Sequence, residues 1–187
     1  MKPLALFATV ACAIVLAAPA SAQKVKLATS MGIIVVQLDA EKAPKTVANF
    51  LQYVKAGHYN GTVFHRVIDG FMVQGGGMSA ELQEKPTRPP IPLEARNGLS
   101  NVRGTLAMAR TQVPDSATAQ FFINVGDNLR LDAANAADGN GYAVFGQVID
   151  GMDVVDRIKT VPVHNQAGHQ NVPQKAVVIQ QATLLEK

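Results

Sequence analysis

Apolar and polar positions along this chain change period several times, and each change predicts an element. Val25 and Leu27 alternate with Lys24 and Lys26, Ser30-Met31-Gly32 reads as a turn, and Ile33 to Leu38 is β-branched and apolar. That pattern predicts two short strands within Val25 to Leu38. In "DAEKAPKTVANFLQYVKAGHY" the period becomes helical: Val47, Phe50, Leu51 and Val54 recur on one face. Pro44 suits a first helical turn and Gly57 a stop, so one face of this helix should cover a sheet.

From Gly61 the texture turns to short apolar runs punctuated by glycine. Val63 to Ile68, Phe71 to Gln74, Gly104 to Ala109, Phe121 to Val125 and Ala143 to Ile149 are predicted strands. Pro- and Gly-bearing loops separate them, notably "EKPTRPPIPLEARNGLSN" and "LDAANAADGNGY". A second short helix is predicted at Met152 to Ile158 and a last strand at Val177 to Leu185. His164 and His169, beside Gly168 and Pro173, fall in what reads as a solvated loop. "VIDGF" at Val67 and "VIDGM" at Val148 echo each other without matching flanks, so they read as similar strand ends and not a repeat. Many short strands with two helices predict a mainly β domain, its antiparallel sheet curled or closed.

The N-terminus has a pattern of its own. Lys2 precedes an apolar run from Leu4 to Ala18, and Ala20-Ser21-Ala22 supplies small residues at a cleavage site. This is the pattern of a secretory signal peptide over residues 1–22, with Gln23 the expected mature N-terminus. The run falls short of the roughly 20 residues of a membrane span, so no anchor is expected after cleavage. A lipid anchor on Cys12 is disfavoured because apolar residues continue beyond it.

Composition then narrows the chemistry. Removing 22 residues from 187 leaves 165, expected to form one domain, 23–187, and takes away the sole cysteine. Disulfides and thiol catalysis are thereby excluded from the mature chain. Losing Lys2 lowers the formal net charge from +3 to +2. With no basic tract, nothing points to nucleic acid. Gly75-Gly76-Gly77 lacks the Gly-Lys-Ser/Thr ending of a phosphate loop and reads as a sharp bend. Ser116 is not in a nucleophile elbow. His164 and His169 lack a third ligand at metal-type spacing, so neither a metal nor a cofactor is expected.

What remains is one discordant cation among apolar strands. Phe64, Phe71, Met72, Met108, Phe121 and Phe122 lie on predicted strands, where core packing is the ordinary explanation. Arg66 is not explained that way. Period two puts it on the face of Phe64, with His65 opposite. A mid-strand arginine is usually a solvated residue or an ion-pair partner.

Four ordered blocks carry the chain further. "FHRVIDGFMVQGG", "GTLAMAR", "AQFFIN" and "YAVFGQV" closely resemble the signature blocks of cyclophilins, the cyclophilin-type peptidyl-prolyl cis-trans isomerases. "EKPTRPPIPLEARNGLSNVRGT" resembles the corresponding loop of exported bacterial members. The resemblance spans Val25 to Leu185. It implies an eight-stranded antiparallel closed β-barrel capped by two α-helices, with the substrate groove outside the barrel. It further implies a periplasmic, monomeric isomerase acting on proline-containing peptides and unfolded exported proteins.

The resemblance also assigns roles. It makes Arg66 the donor to the twisted amide, with Phe71, Met72, Phe122 and Leu131 walling the proline pocket. Gln74 resembles the residue that orients the arginine and contacts substrate backbone. Gln120 matches a groove-lining position, and Ala109 and Arg110 match the strand edge that receives the peptide backbone. Phe64 and Phe121 are assigned to packing.

Two departures stand out. Arg110 replaces a common asparagine, and Tyr142 replaces a histidine while keeping a ring and a hydroxyl for the pocket. Sensitive cyclophilins bind cyclosporin through a tryptophan just before the Leu-Asp pair matched by Leu131-Asp132. Here there is no tryptophan, and Arg130 or Leu129 stands in its place, so weak cyclosporin binding is expected. Two other functions compete: a holdase that uses the groove without turnover, and a carrier with a small ligand inside the barrel.

Overall fold

The computed structural model of the chain describes residues 23–185. The signal-peptide assignment, 1–22, and Cys12 lie outside them. Among the described residues no helix is long and apolar enough to cross a membrane.

Ten strands and two helices follow in order. They are β1 Lys24–Thr29, β2 Gly32–Leu38, α1 Pro44–Lys55, β3 Thr62–Ile68, β4 Met72–Gly75, β5 Thr105–Met108, β6 Phe121–Asn124, β7 Val144–Asp150, α2 Met152–Lys159, β8 Val163–Gln166, β9 His169–Pro173 and β10 Val178–Leu185. Eight strands close into an antiparallel barrel in the order β1-β10-β3-β4-β6-β5-β7-β2. The expected barrel with two helices is therefore the fold. Closure leaves the barrel without a free sheet edge, which suits short strands of this kind.

The alternation read in the sequence has its physical counterpart. Val25, Leu27, Ile34, Val36, Leu106 and Ile123 point inward and are fully shielded from solvent. Phe64 and Phe121 join them, as their packing assignment anticipated. Phe50 of α1 reaches into the same cluster, meeting Phe121 edge to face at 5.5 Å between ring centroids. Val154, Val155 and Ile158 of α2 extend that cluster. Packed aromatic rings thus occupy the ground that a ligand-carrying barrel would need.

The N-terminus of α1 is capped from a distance. Ala43 offers no side-chain cap. Glu94, in the proline-rich loop, instead accepts the backbone N–H of Lys45 at 3.1 Å and of Thr46 at 2.8 Å, and the Thr46 hydroxyl at 2.7 Å. A carboxylate there satisfies two orphaned donors and complements the helix dipole. It also ties a long irregular loop to the barrel.

Two expectations need correction. The segment holding His164 and His169 is not a loop: β8 and β9 form a separate two-stranded hairpin. Ala167 and Gly168 turn it with positive φ, +51° and +81°. Its polar strands lack the alternation that reveals a half-buried strand, so the pattern gave no signal. The second correction concerns faces. Phe64 pairs with Gly75 and Arg66 with Gln74, which leaves His65 as an extra residue in β3. Such a bulge breaks the two-residue period. Phe64 and Val67 therefore face the core, while His65 and Arg66 both face outward, contrary to period-two counting.

Candidate active site

Strand register builds the site on the outer face of the barrel. Arg66 of β3 lies opposite Gln74 of β4, Gln74 opposite Phe122 of β6, and Phe122 opposite Ala107 of β5. One lateral row thus carries a guanidinium, an amide and an aromatic ring. Met72, two residues before Gln74, shares their face. Met72, Phe122 and Val144 form a buried apolar cluster, with Phe71, Leu131 and Tyr142 packed partly exposed around it.

These residues bound a groove of about 390 Å³. All ten residues singled out in the sequence line it: Arg66, Phe71, Met72, Gln74, Ala109, Arg110, Gln120, Phe122, Leu131 and Tyr142. His65, Met78, His169 and Gln170 line it as well. Pattern reading missed His65 because the bulge reversed its face. It missed His169 and Gln170 because their hairpin was taken for a loop. A second groove, about 690 Å³, runs past Asp39, Glu41 and Ser100. It is larger, but no cationic donor lines it, and its chemistry is that of an open surface cleft.

A hydrogen-bond chain holds the cation. The Arg66 guanidinium donates to Gln74 Oε1 at 3.4 Å, and Gln74 Nε2 donates to Gln120 Oε1 at 2.9 Å. The glycine run makes room for that chain. A Cβ on Gly77 would come within 2.4 Å of Gln120 Cγ, and Gly76 turns the backbone with φ +86°. The bend read in the sequence is therefore a seat for Gln120. Among the described residues Arg66 has no carboxylate partner.

The far wall rests on a buried polar network. Asn128 donates to the Phe71 carbonyl at 2.8 Å and to Asn124 Oδ1 at 2.7 Å, and Asn124 donates to Thr105 Oγ1 at 2.9 Å. Asp132 accepts from the Asn101 backbone at 2.7 Å and from the Ser100 hydroxyl. Burial opposes the charge on Asp132, yet the hydrogen bonds from Ser100 and Asn101 hold its carboxyl below the usual range. Between these anchors the 3-10 turn Leu129–Leu131 is fixed. Leu131 faces the groove, and the Arg130 guanidinium stacks over the Phe71 ring, 4.6 Å from its centroid. Leu129 is 49% exposed.

Arg110 lines the groove, but its guanidinium is engaged elsewhere. It donates to the Gly141 and Thr111 carbonyls, pairs with Asp138, and covers the Tyr142 ring at 4.7 Å. Asp138 is held at about 2 by Arg110 and by the backbone N–H groups of Asn140 and Gly141. Tyr142 in turn meets Phe122 edge to face at 5.7 Å. The side chain of Arg110 thus braces the pocket wall. The Ala109 N–H is already given to the Gln120 carbonyl at 3.0 Å.

His65 is the unsatisfied member of the site. It is 96% shielded, and its Nδ1 has no hydrogen-bond partner among the described residues. Burial, then the neighbouring His169, push its pKa down to about 4, so the ring is neutral at physiological pH. No group of three or more His, Cys, Asp or Glu side chains among the described residues is placed to hold a metal ion.

An apolar pocket formed by Met72, Phe122, Phe71 and Leu131 thus lies beside the hydrogen-bonded guanidinium of Arg66 in a groove whose other walls are polar. Residues 24–184 match the family model of cyclophilin type peptidyl-prolyl cis-trans isomerases. The chain is 55% identical to peptidyl-prolyl cis-trans isomerase A of Dickeya dadantii over 163 residues, 87% of this chain and 85% of that one. It is 55% identical to peptidyl-prolyl cis-trans isomerase B of Escherichia coli, over 84% of this chain and 97% of that one. Its fold resembles a cyclophilin type peptidyl-prolyl cis-trans isomerase of Cryptosporidium parvum, solved in the presence of the dipeptide Ala-Pro. That likeness has a TM-score of 0.73 and 26% identity, and covers 88% of this chain and 100% of that one.

Proposed function

This chain belongs to the cyclophilin-type peptidyl-prolyl cis-trans isomerases, and we propose that it turns X-Pro bonds in proteins folding outside the cytoplasm, with Arg66 as the group that stabilises the twisted amide. Rotation about an X-Pro bond must break amide resonance, against a barrier of about 18–20 kcal/mol. In the twisted state the prolyl nitrogen pyramidalises and gains a lone pair. A donor aimed at that nitrogen binds the twisted state more tightly than either planar one, which is what lowers the barrier.

The observation that carries this reading is the guanidinium of Arg66 in the groove that holds the apolar pocket of Met72 and Phe122, hydrogen-bonded to Gln74 and free of any described carboxylate. Permanent charge and a planar fork suit it to the role. Phe71, Met72, Phe122 and Leu131 would hold the proline ring, and the strand edge at Ala109 and Arg110 would take up the peptide backbone. Gln120 fixes Gln74, and Tyr142 closes the wall beside Phe122. The leader pattern of residues 1–22 supports the periplasm as the compartment, where slow X-Pro isomerisation limits folding.

The test is an isomerisation assay on the mature chain and Arg66→Ala, using nuclear magnetic resonance exchange between cis and trans forms of an Ala-Pro peptide. Loss of about 100- to 1,000-fold in kcat with an unchanged fold is expected, the usual effect of removing one preorganised transition-state donor. Equal rates in the two proteins would refute the role of Arg66.

A further inference from the structure

Two guanidiniums stand at the proline pocket without an opposing charge. Arg66 has Gln74 as its hydrogen-bond acceptor, at 3.4 Å. Arg130 is exposed and lies on the Phe71 ring, and no described residue accepts from it or pairs with it. The other arginine of the groove is silent, because Asp138 neutralises Arg110 and two carbonyls hold its guanidinium in place. No carboxylate lines the groove among the described residues. A bound peptide therefore meets an electrostatic field of one sign.

We propose that this groove selects substrates by charge: an acidic side chain next to the isomerised proline is preferred over a basic one, and Arg130 is the residue that sets the preference. Phe71 walls the pocket, so a guanidinium on its face stands within reach of the residue adjoining the proline. Arg66 adds to the field, but it acts on every substrate through the amide. Arg130 acts only on the neighbouring side chain. Its position also limits the size of the effect. Interactions between exposed charges are modest and screened by salt. Attraction of Glu and repulsion of Lys together should give a ratio of about fivefold in kcat/KM at low ionic strength. The proposal rests on the groove being the isomerase site.

The experiment uses the mature chain and peptides with Glu, Ala or Lys directly before or directly after one proline, read by nuclear magnetic resonance exchange. The expected result is a Glu-to-Lys ratio near fivefold in at least one of the two positions. That ratio should fall towards one in about 0.5 M salt, where screening shortens to a few ångströms. It should fall likewise in Arg130→Gln and survive in Arg130→Lys, which keeps the charge but not the planar stacking group. A ratio near one at both positions, with the Ala peptide turned over normally, overturns the proposal alone. A ratio unchanged in Arg130→Gln overturns the assignment to Arg130. No acceleration of any peptide would overturn the isomerase reading and the proposal with it.

Discussion

Replacing His65 with glutamine should flatten the acid side of the stability curve. In the folded chain the ring is buried and its pKa is lowered from 6.5 to about 4. Above pH 6.5 both folded and unfolded forms are neutral, and the group contributes nothing to pH dependence. Between pH 6.5 and about 4 the unfolded chain binds a proton that the folded chain refuses. Folded stability therefore drops as pH falls through that window, by about 1.4 kcal/mol per pH unit at the steepest. Below about 4 the folded ring also protonates and this loss levels off, having reached roughly 3 kcal/mol. His58, also lowered by burial and by Lys85, acts in the same direction, so the readout is the difference between wild type and His65→Gln. Urea unfolding at pH 7.5, 6, 5 and 4 measures it directly. Parallel curves for the two proteins would show that His65 is solvated or partnered in solution, and the reasoning would fail.

Glu94→Ala should cost about 1–2 kcal/mol in urea unfolding, because two N–H groups of α1 and the Thr46 hydroxyl lose their acceptor together. An unchanged midpoint would mean that water caps the helix equally well. Gln120→Ala should lower kcat about fivefold with KM nearly unchanged, since it frees Gln74, the anchor of Arg66; a rise in KM alone would assign Gln120 to uniform binding. Cyclosporin should inhibit weakly, because a charged guanidinium covers Phe71 where an indole would pack and donate. Arg130→Trp should tighten inhibition about a hundredfold, the worth of one buried hydrogen bond plus aromatic packing, and stoichiometric inhibition of the unaltered chain would refute this.

The barrel was legible because its first strands alternate and the rest are short apolar runs punctuated by glycine. Val25 and Leu27 in β1, and Ile34, Val36 and Leu38 in β2, take the buried face that alternation assigns them. The ten groove residues were legible for another reason. Nine of them sit in four blocks whose order and identity match a family, and Leu131 lies just beyond the third; the register across β3, β4 and β6 then lines up Arg66, Gln74 and Phe122 in one row. What stayed hidden depends on long-range pairing. Glu94 caps a helix nearly fifty positions away, and nothing local to "PLEAR" says so. Asn101 joins Asn124, Asn128 and Asp132 in one network across more than twenty residues of chain, and nothing local to any of them announces it. The β8–β9 hairpin hides because its few apolar residues, Val163, Val172 and Pro173, sit at one end and show no period.

The bulge in β3 is where fold turns into chemistry. With strict alternation Arg66 would share the face of Phe64 and enter the packed interior of the barrel. An unpaired guanidinium there would cost several kcal/mol, more than a domain of this size can readily spare. Inserting His65 moves Arg66 to the outer face without disturbing Phe64 or Val67, both of which stay in the core. The same insertion forces a second side chain onto the groove wall. Among the described residues none partners His65 Nδ1, and burial, with His169 beside it, keeps the ring neutral. The cationic groove and the acid-sensitive histidine are thus two consequences of one extra residue. Removing the bulge by deleting His65 should abolish folding and not merely activity, whereas His65→Gln, which keeps the residue count, should preserve both.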